Sequence, residues 1–348
     1  MRLYSCLLVL SLFTLPIPSG QGAVPTTTVR DELARYTLLR DRTILERPEN
    51  LSILSIKAHI SSGTKSLITE MSEATKEPNP IQKNLQVMAL LNRYLNTERY
   101  LDLNASANIP LPYFRLREVQ FLPHAFYTFN LGAQLSISNF GDVTNPRAQT
   151  YLKKEKAIGL SSEYRHEKYQ GYFRLYQLTR SDVKSLLTYA DIVENKSLIE
   201  FDSLNIEAQS YAVDLANTWN FKNKQLTAEV RELAPLPASV ETHYGFRPLF
   251  HLNLRSNQTF WYYGGGLHYR RFYSLDNGLY AEAGITRHGT PRLDFSTRLS
   301  NESINLTPEI TWGILHLRYG MRLQYRNPVD EMWVPATHFV ILEFQYPG

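Results

Sequence analysis

The chain has 348 residues, 12% of them aromatic, and a formal net charge of +4 at pH 7. A charge this small, without any run of five basic residues, excludes the electrostatic footprint of a nucleic-acid-binding protein. After residue 23 no stretch approaches the roughly 18 apolar residues of a membrane-spanning helix, so a helical membrane protein is also excluded.

Residues 1–23 are predicted to be a secretory signal peptide. Arg2 supplies a positive charge, residues 7–15 form an apolar core, and small residues follow Pro16 and Pro18. The single cysteine, Cys6, lies inside this segment, so the mature chain has no disulfide and no cysteine metal site. An exported protein of this size without disulfides favours a Gram-negative cell envelope.

Residues 24–98 are predicted to form a short helical segment ahead of the main domain. Apolar residues recur at helical spacing from Val29 to Leu39, and weaker helical periodicity covers residues 52–71. Pro48 separates these two helices, residues 77–80 form a linker, and a third helix covers residues 81–95. We expect the segment to be a periplasmic arm or a plug, with a small helical bundle that binds no partner as the simpler alternative.

From residue 99 onward, apolar and polar residues alternate, as they do in strands with one apolar and one polar face. The longest run is residues 313–325, where Leu317 and Leu323 share the apolar face and Arg318 and Arg322 the polar face. At roughly 3.3 Å per residue and a tilt of about 45°, such a strand crosses about 30 Å, one bilayer core. The same alternation covers residues 101–111, 125–137, 154–164, 172–179, 211–219, 226–233, 246–254, 261–269, 279–285, 293–299 and 336–346.

Three features favour a transmembrane barrel over a soluble β-sandwich. Several strands reach ten or more residues, whereas sandwich strands usually end near six, and their apolar faces carry no charged residue. Aromatic residues also gather at strand ends, where the interface belts of a membrane barrel lie, among them Trp261, Trp312 and Trp333.

The last strand carries Phe344 and Tyr346 on its apolar face, with Pro347 and Gly348 after them. It resembles the C-terminal strand of bacterial outer-membrane β-barrel proteins, although these usually end on the aromatic residue itself. The resemblance covers roughly residues 100–348 and implies an all-β fold, an antiparallel transmembrane β-barrel over residues 99–348 in the cell outer membrane. It also implies outer-membrane lipid around the barrel and the barrel-assembly machinery as a partner through the C-terminal strand. About 12 strands are expected, within a range of 10 to 14. An even number places both chain ends on the periplasmic side of the barrel. The N-terminal segment is then expected in the periplasm or in the lumen.

The polar faces of the C-terminal strands are rich in arginine, with Glu282 and Asp294 as the clearest acids. A narrow, porin-like channel lined in this way would prefer anions, because rings of arginine attract them. The alternative is a structural barrel in which an arginine–acid ladder fills the lumen. The candidates for an anion site in the lumen are Arg255, Arg270, Arg292, Arg298, Arg318, Arg322 and Arg326.

No catalytic motif is recognisable, so the chain is not predicted to be an enzyme. His288, Asp294, Ser296 and His316 are close in sequence, yet no known motif frames them. The nine histidines show neither HxH nor HExxH spacing, which leaves a metal site and a cofactor without support. Two other functions stay open, an outer-membrane hydrolase and a soluble envelope β-domain that acts as a binding module. A Ser–His or Asp–His pair within about 3 Å at one barrel rim would favour the hydrolase. The sequence does not set the oligomeric state.

Overall fold

The computed structural model describes residues 52–138, 146–194, 204, 207–233, 248–270, 278–326 and 333–345. The predicted signal peptide, the first predicted helix and the C-terminal Tyr346 lie outside these ranges. No helix in the described part of the chain has the length and apolarity that a membrane crossing requires.

Within the described ranges the chain forms three helices and fifteen strands. The helices are α1 (Thr64–Lys76), α2 (Pro80–Arg93) and α3 (Tyr189–Val193). The strands are β1 (Ser52–Ser61), β2 (Thr97–Pro110), β3 (Phe114–Leu116), β4 (Val119–Ser138), β5 (Arg147–Arg165), β6 (Tyr169–Leu187), β7 (Ala208–Phe221), β8 (Lys224–Leu233), β9 (Leu249–Asn257), β10 (Trp261–Arg270), β11 (Leu279–Arg287), β12 (Arg292–Ser300), β13 (Ser303–Trp312), β14 (Leu315–Gln324) and β15 (Thr337–Gln345).

Fourteen of these strands close into an antiparallel barrel. From β4 to β15 each strand pairs with the next along the chain, and β2 pairs with both β1 and β4. The first and last strands, β1 and β15, pair over their full length and close the barrel. The short strand β3 extends the start of β4 outside the barrel. The predicted antiparallel barrel is confirmed, and its strand number is the upper limit of the expected range.

Two barrel strands, β1 and β13, were not predicted. Residues 52–61 were expected to begin a helix, but Leu54, Ile56 and Ile60 alternate with small or polar residues and form β1. The barrel therefore begins before residue 99, and the helices α1 and α2 follow its first strand. Strand β13 was not predicted because Pro308, which has no N–H to donate, argues against a strand in the sequence. In the structure, Pro308 lies at a break in the pairing of β13 with β14.

The two faces of β14 differ in polarity. Leu317, Tyr319 and Leu323 are exposed on its outer face, whereas Arg318 and Arg322 are buried inside the barrel. This is the polarity expected when an apolar band faces lipid and the interior is polar. The strand is three residues shorter than the predicted 313–325, because Gly313 turns the chain with a φ of 57°.

The two ends of the barrel differ in their connections. Ser52 of β1 pairs with Gln345 of β15, so both chain ends leave the barrel on one side, which we call the terminal end. The hairpins there are mostly short, as at residues 166–168, 222–223, 258–260 and 313–314. The opposite side, the loop end, carries the connections 139–146, 188–207, 234–248 and 325–336 and the helices α1 and α2.

The helices pack against the outside of the barrel at the loop end. Leu67 of α1, Leu91 of α2 and Ile192 of α3 form one apolar cluster with Ile137 and Leu187. On β4, Ile137 lies on the same face as the exposed, outward-facing Tyr127. On β6, Leu187 lies on the same face as the exposed, outward-facing Leu175. The described helices therefore cover part of the outer wall and do not pack inside the lumen. Whether residues 24–51 act as an arm or a plug stays a prediction.

Candidate functional site

The lumen arginines lie among carboxylates from the same and neighbouring strands. The Nε atom of Arg318 is 2.7 Å from Glu309 Oε2, and that of Arg298 is 3.0 Å from Glu282 Oε2. Arg292 lies 2.8 Å from Asp294. These contacts have the geometry of the arginine–acid ladder.

The other four candidate arginines have different surroundings. Arg322 donates to Ser303 Oγ at 3.0 Å and lies 3.8 Å from Glu302. Arg255 donates to Gln225 at 3.0 Å and its guanidinium lies over the Tyr262 ring. Arg326 is exposed beyond the end of β14, and the side chain of Arg270 is outside the described part of the molecule.

The lumen holds a cavity of about 400 Å³. Arg174 crosses it above the rings of Phe126 and Tyr172, with its Cζ atom 5.4 and 5.0 Å from their centroids. The described lining has five basic side chains, Lys57, Arg165, Arg174, Arg231 and Arg318, against six carboxylates, Asp102, Glu155, Glu163, Asp214, Glu232 and Glu343. The cavity itself therefore has no excess of positive charge.

A second constellation lies at the loop end, on the outside of the barrel. Ser62 Oγ is 2.9 Å from His338 Nε2, and Tyr319 Oη is 2.7 Å from His338 Nδ1. His338 belongs to β15 and Tyr319 to β14, while Ser62 directly follows β1. The Ser62 N–H donates to Ala336 O at 2.7 Å, which fixes the serine beside the start of β15.

The turn after Ser62 brings positive electrostatic potential to this serine. Gly63 adopts the left-handed conformation, with a φ of 71°, and caps α1, so the chain passes from strand to helix within two residues. No side chain caps this helix, whose first N–H groups carry the positive end of the helix dipole. The guanidinium of Arg99 lies beneath the turn and donates from Nε to Ser62 O at 3.3 Å.

The arrangement is that of a nucleophile, a base and an orienting group. When the His338 proton is on Nδ1, the ring donates to Tyr319 Oη and accepts from Ser62 Oγ through Nε2. Hydrogen bonds on both ring nitrogens hold the imidazole in one orientation, which a serine needs for activation. The contact meets the distance that sequence reasoning set for a hydrolase site at the rim.

The four residues that sequence proximity suggested for catalysis do not form a site. His288 bonds to Thr259 O at 2.8 Å, and Asp294 pairs with Arg292. His316 lies inside the lumen between Glu309 and Glu343, at 2.9 and 3.1 Å. Neither Ser62 nor His338 was singled out from the sequence. A signal was present, because His338 is an ionisable residue on the otherwise apolar face of the last strand.

No protein-family model matches the chain, and no curated protein matches it. Among solved structures, CdiB from Escherichia coli has a TM-score of 0.40 at 10% identity over 94% of this chain and 73% of its own. The transport unit of the autotransporter AIDA-I from Escherichia coli has a TM-score of 0.38 at 6% identity, over 91% and 98%. Outer membrane phospholipase A from Escherichia coli has a TM-score of 0.33 at 10% identity, over 90% and 98%.

Likeness at these TM-scores carries no argument about function. The class follows from the molecule itself, a closed antiparallel barrel with an apolar outer face and a polar lumen. The chain forms a β-barrel of the membrane-spanning type. As such a barrel it carries two features of functional interest, the lumen cavity and the Ser62–His338–Tyr319 constellation on its outer wall.

Proposed function

We propose that this outer-membrane barrel is a serine hydrolase of carboxylic esters, with Ser62 as the nucleophile. The contact of 2.9 Å between Ser62 Oγ and His338 Nε2 carries the proposal. The hydrogen bond between Tyr319 Oη and His338 Nδ1, at 2.7 Å, supports it because it orients the base.

The reaction proceeds by acyl transfer to the serine. Ser62 Oγ attacks the carbonyl carbon of the ester while His338 Nε2 takes its proton. The tetrahedral intermediate expels the alcohol, which receives that proton, and leaves an acyl-serine. Water then attacks the acyl group, gives a proton to His338 and releases the acid, and Ser62 recovers its proton from the histidine.

The strand-to-helix turn supplies stabilisation for the negative charge on the intermediate. The N–H of the residue that follows a nucleophile at such a turn commonly forms part of an oxyanion hole, and here that residue is Gly63. The uncapped first turn of α1 and the guanidinium of Arg99 add positive potential on the same side. A single oxyanion donor contributes about 10²–10³-fold to the rate.

The direct test uses the full chain, purified in detergent. We expect it to hydrolyse p-nitrophenyl butyrate and to be labelled by a fluorophosphonate, which reacts with activated serines. Ser62→Ala should lose both properties, with a rate at least about 10³-fold lower. Ser66→Ala, an exposed serine on α1, is the matched control and should keep both. A wild-type barrel that migrates as folded on unboiled gels yet shows neither property overturns the proposal.

A narrow channel is the second candidate function, and the cavity of about 400 Å³ in the lumen favours it. Arg292, Arg298 and Arg318 each pair with a carboxylate. This pairing favours an arginine–acid ladder that stiffens the barrel and argues against a ring of arginines that attracts anions. Recordings across planar bilayers test this function, because a folded barrel without measurable conductance excludes it.

The orientation in the membrane belongs to the same proposal. Outer-membrane barrels have short turns on the periplasmic side and longer loops outside. We place the terminal end of this barrel, with its N-terminal segment and the end of β15, in the periplasm. The loop end with Ser62 then faces the cell exterior. Protease treatment of intact cells should cleave within the loop-end connections and spare the turns of the terminal end.

A further inference from the structure

The constellation faces lipid rather than the lumen. His338 shares its side of β15 with Val340, which is 43% exposed, and Tyr319 is 40% exposed on β14. The register partners of His338 are Ile60 on β1 and Met321 on β14. A substrate must therefore approach Ser62 along an apolar outer wall.

The depth of Ser62 matches the position of lipid ester groups. β1 has ten residues, which at roughly 3.3 Å per residue and a tilt of about 45° rise by about 23 Å. That rise is close to the apolar band of about 25 Å in such barrels, so Ser62 lies at its upper edge. Bilayer lipids carry their ester carbonyls at this boundary, between the hydrocarbon core and the polar headgroups.

The wall below Ser62 offers a surface for an acyl chain. Leu54, Ile56 and Ile60 occupy outward positions of β1, with the small Ala58 between the last two, and are each more than one third exposed. They run from the nucleophile toward the middle of the membrane, beside Val340. Above Ser62 the surface changes at once to the polar turn and the first turn of α1, which is where a headgroup would lie.

We propose that the substrate is a long-chain acyl ester of a bilayer lipid, taken from the leaflet at the loop end. This inference rests on the proposed hydrolase function and adds the substrate class. It predicts that activity rises with acyl chain length, because the wall of β1 contacts the chain and not the carbonyl.

The experiment compares three substrates with the barrel in phospholipid vesicles. The arms are a phosphatidylethanolamine–phosphatidylglycerol mixture, the same vesicles with lipopolysaccharide, and soluble p-nitrophenyl butyrate. We expect Ser62-dependent release of fatty acid from the lipid vesicles. Release that already occurs without lipopolysaccharide identifies a glycerophospholipid substrate, whereas release that occurs only when lipopolysaccharide is added identifies lipopolysaccharide. Ile60→Asp should lower this release about tenfold, because an apolar contact is replaced by a charge. Leu299→Asp, an exposed outward position at the loop end of β12, is the matched control and should not change it.

A second measurement does not depend on the folding of any variant. Wild-type protein in mixed micelles should hydrolyse a p-nitrophenyl ester of a 16-carbon acid with a higher kcat/KM than the butyrate. If butyrate is hydrolysed through Ser62 while neither lipid arm gives a product, the lipid inference is overturned and the hydrolase function stands. If Ser62 neither reacts with a fluorophosphonate nor hydrolyses any ester, both fall together.

Discussion

Ser62 and His338 are 276 positions apart in the chain, and their side chains meet at 2.9 Å because β1 pairs with β15. Removal of the base should leave the serine inactive. His338→Gln is expected to lower kcat for p-nitrophenyl butyrate by about 10²–10⁴-fold with little change in KM. His288→Gln, at an exposed turn of the terminal end, serves as the control. Equal losses in the two variants would argue against His338 as the base.

Under the proposed function, Tyr319 acts through His338 as a positioning residue. Tyr319→Phe removes one hydrogen bond, worth about 1 kcal/mol, and should lower kcat about fivefold while KM stays constant. Fluorophosphonate labelling should slow by the same factor, a readout that a purely structural role would not change. Tyr211→Phe alters an equally outward-facing tyrosine on β7 and should have no effect. A loss confined to thermal stability would refute the positioning role.

Gly63 sets the angle between β1 and α1. A φ of 71° is accessible to glycine and, at modest cost, to asparagine, whereas a β-branched residue is strongly disfavoured there. Gly63→Val should displace Ser62 and reduce labelling by a fluorophosphonate at least tenfold, since a strain of about 1–2 kcal/mol is relieved by movement of the turn. Gly63→Asn should retain most of it. Similar labelling of both variants would show that the turn geometry is unimportant.

Glu309 contacts two buried basic side chains of the lumen, since it lies 2.7 Å from Arg318 and 2.9 Å from His316. Glu309→Ala removes the shared acid and should lower the free energy of unfolding by about 3 kcal/mol. The temperature at which the folded gel band disappears measures the effect. Glu118→Ala, which breaks an exposed pair with His166, should cost less than about 1 kcal/mol. Equal shifts would mean that the ladder does not stabilise the barrel.

The charge of the cavity lining predicts the selectivity of any conductance. With five basic and six acidic side chains among its described residues, the cavity should discriminate weakly between potassium and chloride. The reversal potential under a potassium chloride gradient should therefore lie near zero. A reversal potential close to the chloride value would instead restore the arginines as an anion filter.

Most of the barrel could be predicted from the sequence because its strands repeat one local rule. In β14 the alternation of leucine with arginine assigns each side chain to the outer wall or the lumen without any knowledge of the neighbouring strands. The rule failed where another signal was stronger. The apolar residues of β1 continue into α1, so the sequence of this segment resembled a single helix. Pro308 is a residue uncommon within strands, so β13 was not predicted.

The candidate site could not be predicted in the same way. The partners of Arg318 and Arg322, Glu309 and Glu302, come from β13 and its preceding turn, and the sequence did not reveal that strand. Ser62 and His338 belong to opposite ends of the chain, and only the strand register joins them. A histidine on an apolar face is visible in the sequence, but its partner becomes visible only when the barrel is closed.

Closure between the first and last strands has a consequence for the safety of the cell. The nucleophile and its base come together only after β1 and β15 have paired, which is the longest-range pairing among the described strands. A newly exported chain would thus cross the periplasm without a working esterase, and the lipids it passes would be spared. Under the proposed function, insertion into the correct membrane is itself the activating step, with no need for an inhibitor or a cleaved pro-segment.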